Sequence, residues 1–178
     1  VDAAGNLYVS DYNNIYVLDA EGNVQFKLDG SQYNGSLCRL NAQQVGVMWY
    51  NYTDDVNAAD ENGQYFVPID LETKDWGEKV KLPPNVGSIF PGDDAYDFYY
   101  TYNNNIYGYA AKTDTKEKLV DWLACDVDTN NMSGYAMLSD SRVAALMQDW
   151  STDPTTYQLI VLHRVDASEI KEKKVLTL

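Results

Sequence analysis

The chain has 178 residues, enough for one ordinary domain with a buried core, and carries a formal charge of -14 from 27 acidic against 13 basic residues. That balance excludes nucleic acid as a partner, because a phosphate backbone needs Lys and Arg to neutralise it, and equally disfavours anionic membrane surfaces. No apolar run approaches the roughly 20 residues of a membrane span, so insertion by this chain is not expected. The 15 tyrosines favour sheet, where aromatic rings suit a half-buried pleated surface.

The opening stretch sets the pattern. Leu7 and Val9 alternate with Tyr8 and Ser10, and Ile15 and Val17 alternate with Tyr16 and Leu18, a period of two that reads as strands. Asp19-Ala20-Glu21-Gly22-Asn23 closes them with a side-chain acceptor and a glycine able to take positive φ. A third strand is expected at 24–28. The chain begins at Val1 already inside a turn motif, which suggests a processed or excised piece whose signal segment is absent or removed.

Downstream, candidate first strands at 37–40, 87–90 and 135–138 recur about every 49 residues. Second strands are expected at 45–50, 98–102 and 143–147, third strands at 65–70, 106–112 and 157–165, and fourth strands at 79–82, 118–122 and 174–178. Breaker clusters separate them, among them Asp60-Glu61-Asn62-Gly63, Pro83-Pro84-Asn85, Pro91-Gly92-Asp93-Asp94 and Asn103-Asn104-Asn105. No convincing helix is found. The best candidate, 166–174 with Asp166 or Ser168 as cap, reads better as a charged loop. Trp76, Trp122 and Trp150, each beside an aspartate, are expected to anchor turns at blade edges.

Four strands per unit of this length predict an all-β chain, a β-propeller of about four four-stranded antiparallel blades at 1–34, 35–84, 85–130 and 131–178. The first blade lacks its first strand, and the whole is expected to be part of a larger propeller with self-association through exposed blade edges.

The motif Asp2-Ala3-Ala4-Gly5-Asn6-Leu7-Tyr8-Val9-Ser10-Asp11, followed by Asn14-Ile15-Tyr16-Val17-Leu18-Asp19 and Gly22, resembles the NHL-type propeller repeat. The resemblance fades downstream, where Ile69-Asp70, Ile106-Tyr107-Gly108-Tyr109 and Val165-Asp166 keep only the third-strand end. The acidic, Tyr- and Asn-rich character is similar in style to propeller regions of secreted lipoproteins of Gram-positive gut bacteria. It implies an extracytoplasmic, envelope-attached location and a binding platform rather than an enzyme.

Catalysis has little to work with. The single histidine, His163, directly follows the apolar run Leu159-Ile160-Val161-Leu162 and reads as a strand residue; no Gly-x-Ser-x-Gly motif supplies it with a nucleophile, and one His does not build a His-based metal site. Asp93-Asp94, Asp54-Asp55 and Asp126-Val127-Asp128 offer hard oxygen ligands for Ca²⁺, without EF-hand spacing, and no other cofactor is expected. Solvated turns are the commoner use of such clusters. Cys38 and Cys125 are expected as buried free thiols rather than a disulfide.

Aromatic rings supply the most informative option. Trp49, Tyr50 and Tyr52 leave one strand together, and Tyr99, Tyr100 and Tyr102 occupy the matching place one blade later. Alternation puts Tyr50 and Tyr52 on one side and Trp49 on the other. Tyr50, Tyr52, Tyr100, Tyr102, Trp49 and Asn103 therefore form the candidate platform for a protein or carbohydrate ligand, with Asn51, Asn104 and Asn105 adding hydrogen bonds. Packing between blades is the commoner fate of such rings. The expected function is a non-catalytic binding module; the alternatives are a structural segment beside a solute-binding domain, or part of an enzyme whose catalytic groups lie outside this chain.

Overall fold

Asp2 pins the first turn. In the computed structural model, which describes all residues except 12, 55–60, 104, 139–141, 165, 167 and 168, its carboxylate accepts from the Ala4 and Asn6 backbone N–H groups at 2.9 Å. It also accepts from Asn6 Nδ2 and the Tyr8 hydroxyl, both at 2.8 Å. Gly5, at φ 89°, supplies the left-handed residue that the turn requires. From it run β1 (Leu7–Ser10), β2 (Asn14–Leu18) and β3 (Val24–Asp29), a three-stranded antiparallel sheet in chain order.

The same device recurs. Asp11 accepts from the Asn13 and Asn14 N–H groups at 2.8 and 2.7 Å, and Asp19 accepts from the Asn23 N–H at 2.7 Å. Asp70, Asp93, Asp128 and Asp149 each accept from a backbone N–H two residues on. Much of the excess negative charge is thus turn chemistry, with a short carboxylate closing each reversal. Hydrogen bonds within their own turns hold the carboxyls of Asp11, Asp19, Asp70 and Asp149 below the ordinary carboxylate range.

The second sheet comprises β4 (Ser36–Arg39), β5 (Val45–Asn51), β6 (Gly63–Asp70) and β7 (Asp75–Trp76), ordered β4-β5-β6-β7, with β8 (Val80–Lys81) also paired to β6. The fourth strand expected at 79–82 is therefore split. Trp76 pairs with Ile69, while Lys81 pairs with Tyr65. Ile15, Val17 and Leu28 of the first sheet meet Val47, Tyr65, Val67 and Ile69 of the second in one core, the period-two faces of both sheets interlocking. Gly46 is required here, because a Cβ would land on the Val67 carbonyl oxygen.

A third sheet runs β12 (Thr115–Val120), β11 (Asn105–Ala110), β10 (Phe98–Tyr102) and β9 (Ile89–Pro91) in that order. A fourth, β13 (Met132–Met137), β14 (Arg142–Asp149), β15 (Thr156–Arg164) and β16 (Ile170–Thr177), is a simple meander. The chain divides into two compact units, 1–98 and 99–178. In the second, Val143, Ala145, Met147, Ile160 and Leu162 are buried on one face of the meander.

The chain is all-β, with four successive antiparallel sheets. Two expectations are corrected. Residues 170–173 are not a charged loop but the first half of β16, paired with β15 from Arg164↔Ile170 onward. Trp122 does not anchor a blade edge: it is fully buried, while Trp150 is 69% exposed. The chain turns inward after β12, where Asp121 accepts from the Ala124 N–H at 3.2 Å and the Val127 N–H reaches the Trp122 carbonyl at 2.9 Å.

Candidate functional site

An aromatic group forms on the first unit where three separate elements meet. Tyr33 follows a one-turn 3₁₀ segment, Gly30–Gln32, which Asp29 caps by accepting from the Ser31 N–H at 2.9 Å. Trp49 projects from β5 on the same side as Val45 and Val47, and Trp76 comes from β7. Tyr33 stands edge-on to both indoles, with centroids 5.1 Å away and interplanar angles of 76° and 80°. Trp49 in turn lies 5.9 Å from Tyr65. These are the offset and T-shaped arrangements that ring quadrupoles favour.

The group is anchored on one side and open on the other. Tyr33, Trp49 and Trp76 pack against the inter-sheet core but keep part of their surface in solvent, whereas Tyr65 is buried. Tyr65 is held by its hydroxyl, which donates to the Glu61 carbonyl at 2.8 Å. Lys79 lies across the open side, its Nζ 5.0 Å from the Tyr65 ring centroid and 6.0 Å from that of Trp49, within cation–π range. Lys79 also lines a cleft of about 740 Å³ with Gln43, Gln44, Pro68, Glu72 and Glu78. Lys79 is the link between the rings and this cleft, whose lining is rich in amide and carboxylate groups and includes none of the rings.

The six residues expected as a platform are not gathered. Trp49, Tyr50 and Tyr52 belong to the first unit, and Tyr100, Tyr102 and Asn103 to the second. Trp49 is in the aromatic group. Tyr50 and Tyr52 are 59% and 69% exposed, Tyr50 on the opposite side of β5; the Tyr52 hydroxyl donates to Asp54 Oδ1 at 2.6 Å. Tyr100 is only 3% exposed and stacks on Tyr107 at 5.5 Å and 23°. Burial, and then the neighbouring phenols of Tyr107, Tyr109 and Tyr102, push its own phenol up to about 12. It has no ring face to offer a ligand.

Tyr102 keeps an exposed edge and meets Tyr107 at 6.0 Å. Asn103 sits at φ 47°, the left-handed residue of the β10–β11 turn, and Asn104 lies outside the described residues. With Asn105, Asp121, Trp122, Asp128 and Asn130, Asn103 lines a polar hollow of about 400 Å³. Trp122 Nε1 finds no acceptor among the described residues. Tyr33, Trp76 and Lys79, central to the aromatic group, carried no site signal in the sequence.

Of the Ca²⁺ candidates, Asp93 and Asp128 accept from backbone N–H groups of their own turns, and Asp55 lies outside the described residues. Among the described residues no three His, Cys, Asp or Glu side chains are placed to hold a metal ion. His163 lies on β15 opposite Arg142 and Glu172. Neither cysteine is in a disulfide. Cys125 is buried as expected, whereas Cys38 is half-buried, and that desolvation pushes its thiol up to about 12 against a smaller opposing effect of the Met48 backbone. Among the described residues no helix is long and apolar enough to cross a membrane. No protein-family model, curated protein or solved structure matches the chain.

Proposed function

We propose that the chain is a non-catalytic binding module whose ligand is a glycan, held at the aromatic group of Tyr33, Trp49 and Trp76 with Lys79 and the adjoining cleft. The single observation behind this reading is the geometry of those rings: fixed from behind by the core and open in front. Sugars present C–H faces that pack on aromatic rings and hydroxyls that need nearby polar groups. Gln43, Gln44, Glu72 and Glu78 of the cleft supply that second requirement.

The four sheets are, in this reading, consecutive propeller blades of the NHL-like type. Four successive antiparallel sheets in chain order, and the face-to-face packing of the first two, support it. The extracytoplasmic, envelope-attached location follows from the resemblance in composition alone. A second reading, contact with another protein, is favoured by Tyr50 and Tyr52, which stand exposed outside the aromatic group.

A glycan array probed with the labelled chain tests the proposal. Reproducible signals lost in Trp76→Ala and kept in Tyr102→Ala are expected. Signals indifferent to Trp76→Ala, or no signal on any glycan, would overturn it.

A further inference from the structure

Asparagine is followed directly by glycine twice in the chain, at Asn34-Gly35 and at Asn62-Gly63. The pair carries a chemistry of its own. The backbone nitrogen of the second residue can attack the side-chain amide carbon of the first, and glycine, lacking a Cβ, leaves that nitrogen unshielded. Asparagine counts among the thermolabile residues for this reason. The fold decides whether the two groups can meet.

At Asn62 they are kept apart. Its Oδ1 accepts from the Thr53 backbone N–H at 2.7 Å, and its Nδ2 donates to the Thr53 carbonyl at 3.1 Å. The half-buried amide is therefore clamped through both of its polar atoms. Gly63, the attacking residue, opens β6 and pairs with Asn51 of β5. Attack would break both hydrogen bonds and disturb the first pair of that ladder.

Asn34 has the opposite surroundings. It stands exposed between the 3₁₀ segment Gly30–Gln32 and β4, and neither it nor Gly35 belongs to a helix or strand. Among the described residues its side chain has no hydrogen-bond partner. Gly35 is itself fixed by packing, because a Cβ there would land on the Met48 carbonyl oxygen of β5. The fold thus requires the very neighbour that makes Asn34 reactive.

We infer that Asn34 is a spontaneous modification site, deamidating through a succinimide closed with Gly35, and that the fold shields Asn62 from the same reaction. The Gly35 nitrogen bonds to Asn34 Cγ and passes its proton to the departing amide nitrogen, which leaves as ammonia. Water then opens the five-membered ring at either carbonyl, giving aspartate or isoaspartate, and nothing is oxidised or reduced. The new carboxylate directly follows Tyr33, on a chain already at -14. The isoaspartyl product also lengthens the main chain by one carbon, just before a residue packed on the β5 backbone. The change therefore falls in the segment that holds one ring of the aromatic group. It is independent of the glycan reading, since the reaction needs only water.

The test holds the intact chain in mildly alkaline buffer at body temperature, with samples taken over weeks for tryptic digestion and mass spectrometry. Trypsin cuts after Lys27 and Arg39, and the 28–39 peptide contains Asn34 as its one asparagine. That peptide is expected to gain about 1 Da and to become a substrate for an isoaspartyl methyltransferase. Conversion at Asn62, placed by fragmentation, should be at least about tenfold slower. In guanidinium chloride the clamp is gone, and the two sites should convert within about twofold of each other. Asn34→Gln should abolish the gain in the 28–39 peptide, because its longer side chain would have to close a six-membered ring.

A 28–39 peptide unchanged in the folded chain but converted in guanidinium chloride would overturn the inference, since the seat of Gly35 on β5 would then hold the two groups apart. So would equal rates at Asn34 and Asn62 in the folded chain, or a gain that persists in Asn34→Gln.

Discussion

Replacing Asp2 by Ala removes one carboxylate and strands four donors: the Ala4 and Asn6 backbone N–H groups, Asn6 Nδ2 and the Tyr8 hydroxyl. A hydrogen bond to a charged acceptor contributes about 1.5–3 kcal/mol on deletion. The full sum is not expected, because the Ala4 backbone is exposed and the Asn6 and Tyr8 side chains are partly so, leaving water as a substitute. A loss of about 3 kcal/mol remains, roughly the cost of the most enclosed donors.

The pH dependence follows from the same carboxyl. Burial pushes it up, but hydrogen bonds from Asn6, Tyr8 and Ala4 outweigh burial, and the net shift is below the ordinary value of 3.8. A depressed carboxyl stabilises the fold fully above the unfolded-state pKa and loses that contribution as pH falls through the folded value. Urea titration followed by tryptophan fluorescence measures it, since Tyr8 packs on the core that also carries Trp49 and Trp76. The gap between wild type and Asp2→Ala should be full at neutral pH and narrow below about pH 4. A gap under about 1 kcal/mol at neutral pH, or one unchanged at about pH 2, would refute the reasoning.

Gly46→Ala should cost about 3 kcal/mol or more, because the new Cβ meets the Val67 carbonyl oxygen at a position paired on both sides, with Cys38 and Pro68; a thermal melt within about 2 °C of wild type would contradict this. Phe66→Ala, which empties a fully buried site, should lose about 3–5 kcal/mol by urea denaturation. Iodoacetamide at neutral pH should leave Cys38 and Cys125 unmodified in the folded chain and alkylate both in urea. Burial keeps the first thiol protonated, with its pKa up to about 12, and encloses the second.

The local chemistry was legible in the sequence. Asp19 and Gly22 announced a hairpin, the period of two placed β1, and the recurrence of about 49 residues placed β5, β10 and β14 close to where they form. Alternation failed where a strand is covered on both faces. Phe98, Tyr99, Tyr100 and Thr101 are all buried, so alternation along β10 has no solvent side to act on. Lys171 to Lys174 looked like a loop because lysines are poor strand formers. At a sheet edge Lys173 and Lys174 are at home, since charge discourages unwanted pairing.

The candidate site was the least legible part. Tyr33, Trp49 and Trp76 come from three elements, and only the pairing of β7 with β6 brings the last of them to the others. Nothing in the sequence near Trp76 distinguishes it from Trp122, beside a similar aspartate, yet one ring is open and the other fully buried. Burial of a lone aromatic is decided by long-range packing, which local pattern does not carry.

The most direct test of the binding reading is a tryptophan fluorescence titration with soluble hexasaccharides of glucose, xylose and N-acetylglucosamine. Trp150, 69% exposed and outside the aromatic group, serves as the internal control. The account predicts a saturable change with at least one sugar, at dissociation constants of about 1 mM or tighter, lost in Trp76→Ala and kept in Trp150→Ala. No saturable change with any sugar, or one that survives Trp76→Ala and vanishes with Trp150→Ala, would contradict it.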